Sequence, residues 1–442
     1  MRSWTLPRSH LVDRVADGSV ILAAMLAAFS VPFLYVASPR IGLAYAGVYL
    51  LVAALAIHKA FFAILAVPAV LAVQRAGGAI SVSDLVLTAA AATAVAGGVP
   101  KRLSPPAATT MRALGVFLLL LLPSVAANLG PTGVLEWLHR IVLVGGGILV
   151  GVWIVELDRQ RLALRLLLAG MAGLAVAAIL TAANTGFQAA YPLGYHKNFV
   201  GSVLASTLLV LLVAPRSFAL SRPVQVLSVL ALLGGLLASQ SRGGMLAVVV
   251  GSAVWVLRSE AGQRRRLLPV IAVIAVGLGT LAWNSVQEQL VSGDQHSSLE
   301  QRFDVEAQTR ALWEEEPLLG VGLRYYNTPQ YEGYQPPNNV LNEALAESGV
   351  PGLLGLVVLV TGATVAAWRA QGALAVAATC VLLSRVAHGM VDIYWVAGTG
   401  TLPWLILGMG LASGARTTRG AACADAGEQA GTARAPEHSR PR

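Results

Sequence analysis

The sequence predicts an all-α, polytopic integral membrane protein with about 12–14 transmembrane helices and one large extracytoplasmic loop. Hydrophobic residues make up 56% of the 442 residues and charged residues only 12%, whereas about 25% of a typical soluble domain is charged. The mean hydropathy is +0.68. Apolar stretches of roughly 17 to 20 residues recur along the chain, and each is long enough to cross about 30 Å of hydrocarbon as a helix. This balance excludes a soluble protein.

The individual spans are predicted from these apolar stretches. They cover about 19–36, 41–57, 60–73, 82–98, 112–127, 140–155, 164–182, 198–214, 224–239, 244–257, 267–283, 340–366, 372–386 and 393–411. The stretches at 60–73 and 82–98 are the weakest, because the first is short and the second is mostly alanine and contains Asp84. Counting both gives about fourteen spans, and omitting both gives about twelve.

The distribution of basic residues predicts the orientation of the chain. If the N-terminus is cytoplasmic, about 22 of the 31 Lys and Arg residues lie on cytoplasmic connections. The positive-inside rule therefore favours cytoplasmic N- and C-termini. Most of these cations are explained as anchors beside anionic lipid, and no nucleic-acid partner is expected.

Four parts follow from the hydropathy pattern. We predict an N-terminal transmembrane helical bundle at 1–283, a large extracytoplasmic loop at 284–338, C-terminal transmembrane helices at 339–412 and a disordered cytoplasmic tail at 413–442. The loop carries charges of both signs and several aromatic residues, which is typical of a folded cap rather than a linker. We expect the functional site where this cap meets the membrane.

The first candidate binding residue is Arg242, which lies between two apolar stretches on the predicted outer side. The positive-inside rule disfavours a cation there, and burying it nearer the bilayer centre costs about 2.5–3.5 kcal/mol. An anionic partner explains such a position, because a guanidinium binds phosphate through two parallel hydrogen bonds. The small residues in 239–244 allow backbones or a ligand to approach closely. The alternative is an arginine that snorkels to the outer headgroups.

A second candidate group consists of His196, Lys197 and Asn198, which precede an apolar span on the same predicted side. Lys197 is one of the few outward cations, and together with His196 it could hold a second anionic oxygen or a diphosphate. Lysines at span ends also commonly anchor to headgroups, so that alternative stays open.

The third candidate region joins the loop to a span. Two prolines followed by Asn338 and Asn339 are a helix-start signal, with either asparagine able to cap. Asn339, Glu343 and Glu347 recur every four residues and share one helix face, where a carboxylate could act as a general base or bind sugar hydroxyls. The alternative is a solvated helix start that favours acidic residues. Glycines and a proline in 349–352 predict an interruption, giving a short interfacial helix followed by a span.

Further charged residues lie in the loop and in a late span. Arg302 and Arg324 are loop residues, and Arg324 follows 317–322, an apolar stretch that is too short to cross a membrane. His388 and Asp392 are four residues apart near the predicted outer end of a span. Such a pair could relay protons or form a structural hydrogen bond.

No motif for a cofactor or a metal is evident. Cys380 and Cys423 have no CxxC spacing, and free cysteines are commonly buried filler. Neither GxxxxGK[ST] nor GxGxxG occurs, so a phosphate loop is unsupported. We therefore predict no cofactor and no metal.

Three sequence blocks in this order resemble the O-antigen ligase and polymerase superfamily of bacterial membrane proteins. The blocks are 196–201, 239–244 and 338–352. The stretch 302–322 is similar to the large periplasmic loop of that family. The resemblance covers about 190–360 and the general topology. No single block is specific, but the three blocks and the stretch 302–322, in this order around one outer loop, are specific together.

The resemblance implies a metal-independent, inverting transfer of a glycan from a polyprenyl-diphosphate carrier to an acceptor hydroxyl, outside the inner (cytoplasmic) membrane. The implied partners are the lipid-linked glycan donor, a glycan, lipid or cell-envelope acceptor, and the bilayer. Arg242 occupies the family position that binds the diphosphate, and Lys197 and Arg302 are candidates for a further cation. Such cations stabilise the charge that the leaving diphosphate gains in the transition state. The remaining candidates for glycan or acceptor binding are His196, Asn198, Asn338, Asn339 and Arg324.

Asn338 departs from the family pattern, because the ligases usually have at this position a histidine that is thought to activate the acceptor. An amide cannot act as a general base near neutral pH. The candidates for this role are Glu347, Glu343 and His388, in that order, unless the acceptor is deprotonated late without a base. The departure leaves a polymerase or an atypical transferase open. A transporter of lipid-linked or anionic substrates is the rival from another class, and a structural scaffold is the third candidate.

Overall fold

The computed structural model describes most of the chain. The described residues are 59–73, 75–77, 80–96, 98–262 and 300–416, with isolated residues between 264 and 280. The predicted spans at 19–36, 41–57 and most of 267–283 lie outside them, as do 284–299 of the loop and 417–442 of the tail. The number of spans therefore stays a prediction.

The described residues form an all-α fold apart from one short hairpin, in which β1 (Arg75–Gly77) pairs antiparallel with β2 (Ile80–Ser81). The helices in chain order are α1 (Lys59–Leu65), α2 (Val82–Ala96), α3 (Pro105–Ala127), α4 (Pro131–Glu156), α5 (Gln160–Asn184), α6 (Lys197–Val213), α7 (Arg222–Ser239), α8 (Arg242–Arg258), α9 (Glu300–Glu315), α10 (Val340–Arg369), α11 (Ala373–Gly389) and α12 (402–416). Short 3-10 turns connect several of them. Among the described helices, α3, α4, α5, α7 and α10 are long and apolar enough to cross a membrane.

Helix α6 lies at the centre of the described bundle. Nearly all of its residues after Lys197 are buried, and it packs against α5, α7, α8 and α11. A helix that is apolar on all sides belongs in the interior of a bundle. Helices α3 and α10 form the most extensive pair, and α9 of the loop packs on α10. The loop therefore lies against α10.

Side-chain caps explain why these three helices begin where they do. The Nδ1 atom of His196 accepts the backbone N–H two residues later, at 3.3 Å, at the start of α6. The Ser241 hydroxyl accepts the Gly244 N–H at 3.1 Å and starts α8. The Asn339 side-chain oxygen accepts the Leu341 N–H at 2.9 Å, which confirms the predicted helix start after the two prolines.

The predicted interruption of α10 is confirmed at Gly349, where φ is +62° and ψ is −161°. A Cβ atom there would lie 2.2 Å from the Leu318 carbonyl oxygen, so the position requires glycine. The Val350 N–H donates to the Pro317 carbonyl at 3.1 Å. The apolar stretch 317–322 thus lies against the kink of α10.

The predicted span at 393–411 begins late, because regular helix starts only at 402. The preceding residues form irregular structure, with Gly398 at φ +78°. Trp395 in this segment is fully buried, and its backbone carbonyl accepts a hydrogen bond from Arg324. Hydropathy could not distinguish this segment from a helix, because its side chains are equally apolar. Irregular backbone is tolerated inside a membrane protein where protein buries it. Helix α12 continues through 416.

Candidate functional site

Three predicted cations come together at neighbouring helix starts. Lys197 is the first residue of α6, Arg242 is the first residue of α8, and Arg302 lies in the first turn of α9. Their charges are close enough to repel one another, and each side chain is partly buried. We call these three residues the basic cluster.

Glycines bring the first two cations together. A Cβ atom on Gly244 would lie 2.8 Å from the Gly201 backbone, so α6 and α8 pass in direct backbone contact. This close approach is the one that the small residues of 239–244 predicted. The segment after α11 fixes Arg302, because the Arg302 Nη1 donates to the Val391 carbonyl at 2.8 Å.

Asn198 connects the basic cluster to the segment after α11. Its amide Nδ2 donates to Asp392 Oδ1 at 3.1 Å, and its Oδ1 accepts the Ser241 hydroxyl at 3.4 Å. Both functional groups of the amide are thus used within the protein. Asn198 consequently holds the two helix starts in register with Asp392.

The surroundings of His196 disfavour its charged form. Burial lowers its pKa below the usual range, and the positive charges of Lys197 and Arg302 lower it further, although Asp392 opposes them. Its Nδ1 accepts the cap hydrogen bond, so a neutral ring carries its proton on Nε2.

His388 lies directly beside the start of α8. A Cβ atom on Gly243 would be 3.0 Å from its Nε2, and its Nδ1 is 2.8 Å from Arg385 Nη1. Because arginine only donates, Nδ1 must accept, and a neutral ring carries its proton on Nε2. Asp392 Oδ2 is 3.7 Å from Nε2, which is too long for a hydrogen bond. His388 thus directs a donor toward the region of Gly243.

Sequence patterns missed a second group of charges, which we call the buried ionic network and define as Glu136, Arg140, Arg324 and Glu347. Arg140 pairs with Glu347, and its Nε is 3.5 Å from Glu136 Oε1. Arg324 Nε is 3.2 Å from Glu136 Oε2, and the Arg324 N–H donates to Glu347 Oε1 at 2.9 Å. The Arg324 backbone N–H, rather than its guanidinium, thus closes a ring of contacts through these four residues.

Asp84 and His139 extend the ring toward α2. His139 Nε2 is 3.0 Å from Asp84 Oδ1, and its Nδ1 is 3.3 Å from Glu136 Oε2. The stretch 136–140 holds three ionisable residues at the start of an apolar helix. That placement inside a candidate span is the signal that could have identified them, because such residues are expensive there and are commonly functional.

The Arg324 side chain contacts Glu136, Trp395 and Tyr326. Burial lowers the pKa of its guanidinium, but the combined attraction of Glu136, Tyr326, Glu343 and Glu347 outweighs that effect and keeps the pKa well above the ordinary value. Its guanidinium donates a hydrogen bond to the Trp395 carbonyl, and its charge lies 5.7 Å from the centroid of the Tyr326 ring. The side chain predicted to bind glycan or acceptor is therefore already engaged with the protein.

The two predicted acidic candidates differ in their surroundings. Both Glu343 and Glu347 are fully buried. The Glu347 carboxylate is bonded to Arg140 and to the Arg324 backbone, whereas the Glu343 carboxylate makes no hydrogen bond within the described part of the chain. Glu343 is thus the carboxylate with unused acceptor capacity.

The two predicted asparagines lie at the start of α10. Asn339 uses its side-chain oxygen as the helix cap. Asn338 directly precedes it and is partly buried.

The segment 391–395 connects the two groups of charges. The Val391 carbonyl accepts a hydrogen bond from Arg302 of the basic cluster. The Trp395 carbonyl accepts one from Arg324, and the centroid of the Trp395 ring lies 4.7 Å from the charge of Arg140. Four residues of chain span at most about 14 Å, so these two contacts are no farther apart than that. The predicted cations and the buried network therefore belong to one region.

The apolar helices and the charges at their ends define a polytopic membrane protein of all-α class. Residues 227–357 match the family model Wzy_C, described as O-antigen ligase. The match confirms the resemblance to the O-antigen ligase superfamily over this part of the chain. It includes Arg242, Arg302 and Glu347, whereas Lys197 and His388 lie outside it. None of the curated proteins compared with the chain matches it significantly. Membrane glycan transfer of the ligase or polymerase type is the general activity that this family supports.

Proposed function

We propose that the protein transfers a glycan from a polyprenyl-diphosphate carrier to an acceptor hydroxyl at the extracytoplasmic side of the inner membrane, with inversion and without a metal. The observation that carries this proposal is the convergence of Lys197, Arg242 and Arg302 from three separate elements. Concentrating cations costs energy through repulsion, and a ligand with several negative charges removes that cost. A diphosphate is the ligand of this kind that the family resemblance suggests.

The proposed reaction is a single displacement. The acceptor oxygen attacks the anomeric carbon, and the bond between that carbon and the diphosphate oxygen breaks on the opposite face. The electron pair of the broken bond stays on the diphosphate, whose additional negative charge the basic cluster stabilises. Fixed cations lower such a barrier because they are already oriented before the charge develops.

The acceptor proton needs a destination, and the surroundings of the candidates favour Glu343. Glu347 is occupied by Arg140 and by the Arg324 backbone, so protonating it would break the ring of charges. Glu343 has free acceptor capacity. His388 suits a different role, because its Nε2 carries a proton and could donate to a diphosphate oxygen. Glu343 as base and His388 as donor is the assignment that we propose.

The test is glycan transfer by purified protein in detergent, with lipid-linked glycan and envelope acceptor extracted from the producing cells and with a metal chelator present. We expect transfer by the wild type and a loss of about 10²–10³-fold in Arg242→Ala, as for removal of one charge-stabilising group. Arg222→Ala is the matched control, because Arg222 is exposed at the start of α7 and belongs to neither group of charges. Chelator-sensitive transfer, or full activity of Arg242→Ala, would overturn the proposal.

A polymerase of the same superfamily differs only in its acceptor, which would be a second lipid-linked glycan. The same assay separates the two, because a polymerase lengthens the glycan on its lipid carrier when no envelope acceptor is added. Binding of lipid-linked glycan without any transfer would instead favour the transporter.

A further inference from the structure

A groove between α9 and the start of α10 lies outside both groups of charges. Its volume is about 420 Å³, within the range of about 300–1,000 Å³ that is typical of small-molecule sites. Its lining on α9 includes Phe303, Glu306, Arg310 and Trp313, and Asn342 of α10 forms part of the opposite wall. Neither the family resemblance nor the candidate site assigns a role to this groove.

Two aromatic residues lie at the ends of the α9 wall. Phe303 is 66% exposed, although it belongs to a helix of the hydrophilic loop. Trp313 is partly buried, and its indole N–H has no hydrogen-bond partner within the described part of the chain. Ten residues of helix place the two about 15 Å apart. The groove thus offers two apolar surfaces.

Polar groups of complementary kinds lie between these aromatic residues. Glu306 supplies acceptors, Arg310 supplies donors, and Asn342 supplies both. Arg310 pairs with exposed Glu314, at 3.3 Å, and a surface pair of this kind is weak enough to be exchanged for a ligand. A pyranose matches this lining, because its C–H faces stack on aromatic rings and its hydroxyls both donate and accept.

We propose that this groove binds a saccharide unit of the glycan substrate. The assignment rests on the proposed glycan transfer and extends it to a site for the sugar itself. Phe303 follows Arg302 of the basic cluster directly in the chain, and Asn342 precedes Glu343. The groove is therefore formed by the same two helices that carry Arg302 and the proposed base.

The test is saturation-transfer difference NMR on the full-length protein in detergent. The probes are the methyl glycosides of glucose, galactose, mannose, rhamnose and N-acetylglucosamine. We expect at least one of them to receive saturation from the wild type, and we expect Phe303→Ala and Trp313→Ala to lose most of that signal. Phe187→Ala is the matched control and should keep it, because Phe187 is 75% exposed and does not line the groove.

The proposal is overturned if no glycoside receives saturation from the wild type, or if both groove variants keep the signal. Phe303 is mostly exposed, so Phe303→Ala keeps the fold even if Trp313→Ala does not. Arg242→Ala should keep the sugar signal while it loses transfer. The NMR experiment does not depend on catalysis, so failure of the sugar site and failure of the transfer proposal are distinguishable.

The donor and the acceptor both carry sugars, and steady-state kinetics separates these two sources. Phe303→Ala should raise KM for the lipid-linked donor if the groove holds the donor glycan, and KM for the acceptor if it holds the acceptor. An unchanged KM for both substrates would contradict a role of the groove in transfer.

Discussion

Arg140 is the residue on which the buried ionic network depends most. It is 1% exposed, lies beside both Glu136 and Glu347, and faces the ring of Trp395. We expect Arg140→Met to lower the free energy of unfolding by about 3–5 kcal/mol, because it leaves buried carboxylates without their partner. Unfolding by denaturant in detergent measures this change.

A second variant shows whether the loss comes from the ion pair. Adding Glu347→Gln to Arg140→Met removes one unpaired charge and should recover part of the stability. Equal stability of Arg140→Met and the wild type, or no recovery in the double variant, would contradict the pairing.

His388 provides a second prediction for a single residue. If its Nε2–H donates to the leaving diphosphate, His388→Ala should lower kcat by about 10²-fold, as for one lost donor. His388→Gln keeps an N–H donor near the same place and should retain more activity than His388→Ala. Equal kcat values of the two variants would contradict a hydrogen-bonding role.

At the scale of elements, the kink in α10 fixes the loop to the bundle. Gly349→Ala requires a strained backbone and drives a Cβ atom into the Leu318 carbonyl, so it should displace 317–322 and lower the unfolding midpoint. Gly173→Ala is the control, because open space surrounds Gly173 within α5 and alanine favours a helix by about 0.5–1 kcal/mol. A Gly349→Ala protein as stable as Gly173→Ala would show that the kink is not required.

The sequence predicted those elements that carry local signals. Two prolines and an asparagine identified the start of α10, and the glycines of 349–352 identified its kink. The start of α4 was predicted at 140 but lies at Pro131, a residue type favoured at the first helical position. The segment before α12 has no local signal, because its shape depends on Arg324, which is distant in sequence, and on Arg385 of α11.

The candidate site was predictable to a similar extent. The cations at 197 and 242 could be selected, because charges beside apolar spans need a reason, and Arg302 was selected through the family resemblance. The ring of Glu136, Arg140, Arg324 and Glu347 could not, because its members come from three separate parts of the chain. Only the fold brings them together, so the sequence could not distinguish an engaged Glu347 from a free Glu343.

At the scale of the whole molecule, the basic cluster is partly exposed and its attraction for an anionic donor should depend on salt. Raising the ionic strength shortens the screening length, from about 30 Å at 0.01 M to about 10 Å at 0.1 M. We expect KM for the lipid-linked donor to increase with salt in the wild type and less steeply in Arg242→Ala. Identical salt dependence in both proteins would contradict electrostatic binding by this residue.

Recognition of a diphosphate by the basic cluster is the central claim, and the most direct measurement compares two lipids. Binding of polyprenyl diphosphate and of polyprenyl monophosphate is measured on wild type, Arg242→Ala and Arg222→Ala reconstituted in nanodiscs. We predict that the wild type and Arg222→Ala prefer the diphosphate by at least about tenfold, which corresponds to about 1.4 kcal/mol, and that Arg242→Ala loses the preference. Equal affinity of the wild type for both lipids, or an unchanged preference in Arg242→Ala, would contradict the account.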